Sequence, residues 1–278
     1  MITLKEIQFS YAKNKTLFKD LNLAMESGHI YGLLGKNGAG KTSLLKLMSG
    51  LLFAQSGEVT LMGHRAEHRP MEVLQNLYFL QEELYVPHLK ISEFEKAYAP
   101  YYPNFSHEMF HHNLEEFEMT DEKNHIDHLS HGQKKKVLIS FALATNTPIL
   151  LMDEPTNGLD IPSKSIFRKL MAAAADESRL VVISTHQVRD LYSLIDIVTI
   201  VDSGRILLNA GTDVITDKLL FDVDNQKSNS TETIYEEVSP LGTVQVKYNT
   251  EHRDSNLDLE LLFNAAISQQ EKIHNLFK

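Results

Sequence analysis

Short, nearly continuous apolar runs alternate along this chain with longer segments that have helical spacing. The clearest runs occupy residues 29–34, 149–152, 180–184 and 197–201. Each is short enough for one strand, and continuous apolar runs are typical of strands buried on both faces of a sheet. Helical segments lie between these runs, one of them near 187–194. The pattern therefore predicts an α/β fold with a parallel sheet covered on both faces.

The N-terminal residues follow a different pattern. Apolar and polar residues largely alternate over 2–11 and 17–25, and a further short strand is predicted at 58–62. Such alternation is typical of strands with one buried face. We therefore expect an N-terminal antiparallel β subdomain beside the parallel sheet.

The segment from 83 to about 145 has mainly helical spacing and carries seven of the 13 histidines and nine of the 23 aromatic residues. Pro100 and Pro103 interrupt it. We expect an inserted helical subdomain here. Its last helix is expected to start at Ser130, because Ser130 and Gln133 have the spacing of a capping box.

Beyond residue 212 the pattern changes again. The predicted elements are a polar loop at 224–231, strands at 233–238 and 243–248 with a turn at Pro240–Gly242, and helical structure over 257–277. We therefore divide the chain into a domain over 1–212 and a small C-terminal α+β appendage over 213–278.

Composition narrows the classes of function. The chain has 278 residues, 42% hydrophobic and 23% charged, which is ordinary for a globular protein. Its net charge of −10 argues against a nucleic-acid partner. With no cysteine, a disulfide framework and a cysteine-based metal site are excluded. No apolar run approaches the roughly 20 residues that span a bilayer, and the N-terminus lacks signal-peptide features, so any membrane span must come from another chain.

Residues 35–42, Gly-Lys-Asn-Gly-Ala-Gly-Lys-Thr, fit the phosphate-loop pattern G-x-x-x-x-G-K-[ST]. A predicted strand precedes them and a helical segment follows. The glycines let backbone N–H groups close around phosphate oxygens, and the helix N-terminus adds partial positive charge. Lys41 would reach the β- and γ-phosphates, and the Thr42 hydroxyl would ligate Mg²⁺. The candidate nucleotide-binding residues of this loop are Gly35, Asn37, Gly38, Gly40, Lys41, Thr42 and Ser43.

A second candidate site follows the apolar strand at 149–152. Asp153 ends that strand, where a carboxylate can face Mg²⁺ from the edge of the sheet. Glu154 comes next and could orient or deprotonate an attacking water. A strand-ending turn with solvated acids would be the ordinary interpretation without the phosphate loop upstream.

Over roughly residues 1–212, these segments resemble the ATP-binding subunits of ABC transporters in content and order. The motifs that carry the resemblance are the phosphate loop, Gln81 after a strand, Leu129-Ser130-His131-Gly132-Gln133, 149–155, Gly158-Leu159-Asp160 and His186. The Leu-Ser-x-Gly-Gln stretch, called the signature below, discriminates best, because most other phosphate-loop ATPases lack it. The resemblance implies a P-loop NTPase core that hydrolyses ATP with Mg²⁺.

The resemblance also implies roles around the nucleotide. Tyr11 would stack on adenine, although it could equally be a core tyrosine of its strand. Gln81 would contact Mg²⁺ and the attacking water, and Asp153 would ligate the metal. Glu154 would be the general base, and His186 would contact the γ-phosphate.

Further roles are implied between subunits. Ser130, Gly132 and Gln133 would bind the γ-phosphate of ATP held by a second ATP-binding subunit, so that two MgATP lie in a head-to-tail homodimer or related heterodimer. Asp160 would cross the dimer interface, although a residue before Pro162 is also an ordinary helix N-cap. His131 departs from the family, where many members have glycine, and could make closing pH-sensitive. The remaining histidines are expected to be solvated, with His111-His112 a surface pair.

The implied setting is the cytoplasmic face of the cell membrane, where the chain would be held by a separate transmembrane permease subunit. We expect export rather than import, since the appendage is short for the large regulatory domain of many sugar importers. The transported substrate is not encoded in this chain. Two alternatives are a soluble ABC-type ATPase acting on nucleic acid or ribosomes, and a regulatory subunit with little turnover; the presence of Glu154 and His186 argues against the latter.

Overall fold

The structure, a computed structural model, describes residues 1–12, 15–188, 192–224, 233–239 and 242–278. Three predicted features fall wholly or partly on other residues. The helix predicted near 187–194 crosses residues 189–191, and most of the polar loop and the turn at Pro240–Gly242 also lie outside the described residues.

The N-terminal β subdomain is a four-stranded antiparallel sheet, as predicted. Its strands, in spatial order, are β2 (Lys15–Met25), β1 (Ile2–Ala12), β4 (Ser56–Leu61) and β5 (His64–Arg65). The alternation of buried residues in β1 shifts between Leu4 and Ile7, where Glu6 has a φ of 51° and the register is irregular. Such a bulge bends a strand. The buried face of this sheet joins an apolar cluster shared with one face of the central sheet.

The central sheet confirms the predicted parallel core. Its six strands, in spatial order, are β10 (Arg205–Gly211), β9 (Ile197–Asp202), β3 (His29–Leu34), β8 (Leu180–Thr185), β7 (Ile149–Asp153) and β6 (Leu77–Leu80). Neighbouring strands are parallel except β9 and β10. Successive residues Leu33 and Leu34 belong to different apolar clusters. Both faces are therefore buried, which explains the continuous apolar runs.

Helices cover the sheet or form the inserted subdomain. They are α1 (Lys41–Met48), α2 (Met71–Gln75), α3 (Ile91–Tyr98), α4 (His107–Glu116), α5 (His131–Ala144) and α6 (Ile161–Ala173). In the inserted subdomain, α3, α4 and α5 pack around Phe141, whose ring centroid is 4.9 Å from that of Phe94 and 5.8 Å from that of Phe110. Within the described ranges, no helix has both the length and the apolar character to cross a membrane.

The C-terminal appendage continues the apolar core rather than standing apart from it. Its elements are α7 (Thr212–Lys218), β11 (Leu219–Asp224), β12 (Thr233–Ser239), β13 (Gly242–Tyr248), α8 (Leu259–Ser268) and α9 (Gln270–Leu276). The strands form an antiparallel sheet in the order β11-β13-β12. Leu262 of α8 and Val198 of β9 belong to one apolar cluster. The division of the chain at 212–213 therefore stays a prediction.

Candidate functional site

Four parallel strands end at one edge of the central sheet, each followed by a predicted site segment. The phosphate loop follows β3, Gln81 follows β6, Asp153 ends β7, and His186 follows β8. Ligands of such sheets bind at the carboxyl ends of the strands. The topology therefore brings together segments that are far apart in the sequence.

The phosphate loop presents an open helix N-terminus. α1 begins after Gly40, which has a φ of 104° and leaves the helix without a side-chain cap. A Cβ on Gly40 would lie 2.7 Å from the ring of Phe18, so glycine is required there for both conformation and space. The first N–H groups of α1 therefore remain available to bind an anion.

Lys41 is the buried cation of this loop. Its side chain is only 7% exposed, and its Nζ donates to the Gly35 carbonyl oxygen at 2.9 Å. The same Nζ lies 3.6 Å from Glu154 Oε1. Lys41 is thus held at the loop by a carbonyl and a carboxylate, in a position where phosphate oxygens could replace them.

A hydroxyl and a carboxylate lie side by side next to the loop. The Thr42 hydroxyl donates to Asp153 Oδ2 at 2.7 Å, and the Ser184 hydroxyl donates to Asp153 Oδ1. Asp153 is 1% exposed. Because Mg²⁺ binds oxygen ligands and often uses one carboxylate plus substrate phosphates, Thr42 and Asp153 fit a magnesium site beside a nucleotide.

Glu154 lies at the centre of the site on a strained backbone. Its φ is 46°, in the left-handed region that favours glycine. The residue is buried, and its Oε1 is 2.8 Å from His186 Nδ1. With Lys41 on another side, the carboxylate is held between two nitrogen groups. A buried carboxylate in such a position can act as a general base.

Sequence reasoning missed Lys135, a fully buried lysine of α5. Its Nζ donates to the carbonyl oxygens of Glu154 at 2.6 Å and Asn157 at 3.1 Å. Burial lowers the pKa of Lys135, against the raising effect of nearby carboxylates, first that of Glu82. One signal was available, because Lys135 shares helical spacing with the buried residues Leu138 and Ala142.

Gln81 and its neighbour Glu82 line different cavities. Glu82 lines the cavity at the phosphate loop, and its Oε1 accepts a hydrogen bond from Asn157 Nδ2 at 2.9 Å. Gln81 lines a different cavity, beside Tyr78 and Phe94. β6 ends at Leu80, and directly after it the chain directs these two neighbouring side chains to different cavities.

The predicted residues meet at a cavity of about 680 Å³, a size typical of small-molecule sites. Predicted residues that line it are Tyr11, Asn37, Gly38, Gly40, Lys41, Thr42, Ser43, Glu154 and His186. Tyr11 is 64% exposed, so it is not a core residue, and its hydroxyl is 2.9 Å from Ser43 Oγ. An exposed ring beside a phosphate loop can stack on a base.

The signature residues lie elsewhere. Ser130, Gly132 and Gln133 are not among the residues that line this cavity. Ser130 caps α5 in the predicted capping box: its hydroxyl accepts the Gln133 N–H at 3.3 Å, and Gln133 Oε1 accepts the Ser130 N–H at 3.0 Å. The single chain therefore holds a second helix N-terminus that is closed by its own side chains.

Asp160 is the N-cap of α6 in the single chain. Its Oδ1 accepts the N–H of Ser163 at 2.8 Å. Hydrogen bonds from the Ser163 side chain and backbone hold the pKa of Asp160 below its ordinary value. The structure thus supports the capping role for Asp160, and its place at a dimer interface stays a prediction.

Comparison with known proteins gives consistent results. A family profile described as "ABC transporter" matches residues 18–157. The chain is 32% identical over 217 residues to the ABC transporter ATP-binding protein NatA of Bacillus subtilis (strain 168), an alignment that covers 74% of this chain and 88% of NatA.

Solved structures share the fold. One described as the ATP-binding subunit of an ABC transporter superposes with a TM-score of 0.70 at 23% identity, over 77% of this chain and 91% of that one. A dimeric bacterial ABC transporter cassette superposes with a TM-score of 0.66 at 22% identity, over 76% and 98% of the two chains.

Proposed function

Because this chain belongs to the ABC transporter family and is an ATP-hydrolysing subunit of a transporter, we propose that two copies close head to tail on two MgATP. Each ATP would lie between the phosphate loop of one copy and the signature of the other. Closing and reopening would drive substrate movement through a separate membrane subunit. The family does not favour the alternative of a soluble ATPase that acts on nucleic acid or ribosomes.

One observation carries the dimer proposal: the two predicted phosphate-binding helix ends of one chain do not share a cavity. The N-terminus of α1 lines the nucleotide cavity, whereas Ser130, Gly132 and Gln133 at the start of α5 do not. Each end has the chemistry for one side of a phosphate group. A head-to-tail arrangement lets two copies each supply the end that the other lacks.

The phosphate loop would hold the triphosphate. Gly38, Gly40 and residues 41–43 line the cavity, where their backbone N–H groups would bind phosphate oxygens. Lys41 would exchange the Gly35 carbonyl for β- and γ-phosphate oxygens. Thr42 and Asp153 would hold Mg²⁺. When bound, this ion would neutralise phosphate charge and orient the γ-phosphate.

Glu154 is the proposed general base, and His186 the proposed γ-phosphate contact. In the single chain, the Glu154 carboxylate pairs with both His186 and Lys41. An incoming γ-phosphate competes for both nitrogen groups, which frees the carboxylate to take a proton from water. The water oxygen then bonds to the γ-phosphorus while the bond to the bridging oxygen of ADP breaks.

We assign the contact with Mg²⁺ and the attacking water to Glu82 rather than Gln81, because Glu82 lines the nucleotide cavity. Gln81 instead belongs to a second cavity of about 230 Å³, which has an aromatic lining that includes Tyr98 and Phe141. Because Glu82 and Gln81 are adjacent, a shift of Glu82 at the nucleotide would also move Gln81 at the second cavity.

The membrane subunit would dock at this second cavity, between Gln81 and Phe94. Tyr85 on its rim is 82% exposed, and aromatic residues are enriched at protein interfaces. The chain would then lie on the cytoplasmic face of the membrane, where ATP is available. We propose export as the direction. Inside-out vesicles expose the cytoplasmic face, so their ATP-dependent loading would support export, whereas ATP-dependent loss of cargo from them would contradict it.

A complementation experiment tests the composite site. Lys41→Ala disables the phosphate loop, and Ser130→Glu places a negative charge where a phosphate should bind. Each variant alone should hydrolyse ATP at background rate. In a head-to-tail mixed dimer, the intact loop of one copy meets the intact signature of the other, so mixing should restore up to about a quarter of the normal rate.

Phosphate release by the single variants and by an equal mixture is the measurement. Lys46→Ala, which removes another lysine of α1, is the matched control and should keep normal activity. If the mixture is as inactive as its components although mixed dimers form, the composite site is wrong.

A further inference from the structure

A histidine-rich cluster lies in the helical subdomain, away from the nucleotide cavity. One ligand atom from each of His88, His125 and Asp127 lies within 4.8 Å of the others. His128 adjoins them, with its Nε2 3.7 Å from Asp127 Oδ2. None of these four residues lines the nucleotide cavity, and hydrolysis of ATP requires none of them.

Two atoms of this cluster are buried without a hydrogen-bond partner. They are His125 Nδ1 and Asp127 Oδ1, which are two of the four such side-chain atoms in the part of the chain that the structure describes. Folded proteins seldom leave a buried polar atom unsatisfied. Imidazole nitrogen and carboxylate oxygen are both metal ligands, so a cation at this place would satisfy them.

The rings of His88 and His125 lie close together. Their centroids are 4.5 Å apart, with the planes 28° from parallel. The neutral imidazole ring is the form that ligates metals. Asp127 Oδ2 is 2.7 Å from His88 Nδ1, which fixes the orientation of that ring.

We propose that His88, His125 and Asp127, with His128 adjoining them, form a binding site for a first-row divalent transition-metal cation. Two imidazoles with one carboxylate match Zn²⁺ and its neighbours, whereas Mg²⁺ and Ca²⁺ prefer oxygen ligands. The proposal does not rest on the dimer. It concerns residues of one chain only.

The site would tie the loop at His88 to the turn that directly precedes the signature. The Leu89 carbonyl accepts the Ile126 N–H at 2.9 Å, so the loop after Glu82 already runs beside the turn at Ile126–His128. That turn ends just before Leu129 and the N-cap Ser130. A cation bound across this junction would fix the loop against the entry to α5.

A second histidine cluster provides the matched control. His111 lies between Glu95 and Glu122: its Nδ1 is 2.8 Å from Glu122 Oε1, and its Nε2 is 3.4 Å from Glu95 Oε1. Both ring nitrogens thus already face carboxylates, and no atom of this cluster is among the unsatisfied ones. His111, expected to form only a surface pair with His112, therefore has a carboxylate beside each ring nitrogen.

Metal titration of the full chain without a histidine tag tests the proposal. The chain would be cleared with a chelator and titrated with Co²⁺ by visible absorption and with Zn²⁺ by calorimetry, in excess Mg²⁺ to occupy the nucleotide site. We expect one equivalent to bind, with d–d bands typical of nitrogen and oxygen ligands. His125→Ala and Asp127→Asn should each weaken binding at least about tenfold, and His111→Ala should not change it.

His88→Ala guards against misfolding, because His88 is 68% exposed at its side chain and its removal should leave the fold intact. The His88→Ala substitution should also weaken Co²⁺ and Zn²⁺ binding at least about tenfold. Zn²⁺ should raise the melting temperature of the unchanged chain and not that of His88→Ala. Unchanged affinity in His88→Ala and His125→Ala, or loss of binding in His111→Ala, would overturn the assignment.

Discussion

The two helix N-termini proposed to meet phosphate are built differently. α1 begins after Gly40 with no side-chain cap. α5 begins after Ser130, where the hydroxyl of Ser130 and the amide of Gln133 satisfy each other's backbone N–H groups. The first end is therefore open in the single chain, and the second is closed by its own residues.

This difference matches the order in which the two ends are proposed to act. The phosphate loop must bind ATP before any partner arrives, so its N–H groups stay open. α5 would meet phosphate only when two copies close, and until then a cap is worth about 1 kcal/mol to it. Hydrogen bonds to an anion are stronger than those to neutral groups, so exchange of the cap for phosphate is favourable for Ser130.

The largest effect is expected where both helix ends stay intact and only the base is removed. Glu154→Gln keeps the side-chain shape but cannot take a proton from water. ATP hydrolysis should fall about 10²–10⁴-fold, while an ATP-bound dimer accumulates. Phosphate release and size-exclusion chromatography with MgATP are the measurements.

The exposed acid Glu177 offers a control for this change, since Glu177→Gln should leave turnover as it is. Normal turnover in Glu154→Gln would remove Glu154 as the base. A low rate without accumulation of an ATP-bound dimer would instead show that ATP hydrolysis does not control reopening of the dimer.

Lys135 links the two helices, because its Nζ donates from α5 to the Glu154 carbonyl oxygen, and the Glu154 carboxylate lies beside Lys41 of α1. Lys135→Met keeps the chain length but removes the donor to the Asn157 carbonyl. The unfolding free energy should fall by about 1–3 kcal/mol, the cost of a buried acceptor that loses its partner. Denaturant titration measures it.

Lys134→Met, one residue earlier and partly exposed, is the control and should change the unfolding free energy by less than about 0.5 kcal/mol. If both variants are equally stable, the Lys135 ammonium contributes nothing net to the fold, and its burial cost offsets its hydrogen bonds.

A smaller effect is expected from opening the cap on α5. Ser130→Ala should lower the unfolding free energy by about 1 kcal/mol, whereas Ser130→Gly, which makes this end resemble that of α1, should cost only a few tenths. ATP hydrolysis should fall to a similar degree in both, since both lack the hydroxyl. Thermal unfolding and phosphate release separate the two roles. Equal stability of the two variants would show that the capping box does not stabilise α5.

Much of this site was predictable because its motifs sit at the ends of buried strands. The apolar runs at 29–34 and 149–152 are short and continuous, and the residues after them must meet at one sheet edge. The capping box of Ser130 and Gln133 is likewise a local pattern that the structure confirms. Both inferences depend on residues that are close together in the sequence.

The missed features depend on distant contacts or break the usual pattern. Lys135 is buried against the expectation that lysine is exposed, since carbonyls from another segment receive its ammonium. Glu82 and Gln81 differ only in the face to which each points. His88 and His125 are distant in sequence and meet through the pairing of Lys90 with His125. Hydrophobic periodicity places Lys135 on the buried face of α5, but it carries no information on the contacts that Lys135, Glu82 and the two histidines make.

The smallest effect is expected at His131, the signature residue that follows the cap of α5. Its exposed ring lies against Gly158, where an added Cβ would be 2.9 Å from His131 Cδ2. An imidazole commonly gains a proton between about pH 5 and 8, which would add positive charge at the proposed dimer interface. His131→Gly should therefore flatten the pH profile of ATP hydrolysis in that range and change the maximal rate by less than about threefold. His131→Gln retains a polar side chain without the titration, so it should flatten the profile equally. If both variants keep the original profile, the open and closed helix ends differ in hydrogen bonding alone, and the charge of His131 has no part in closing.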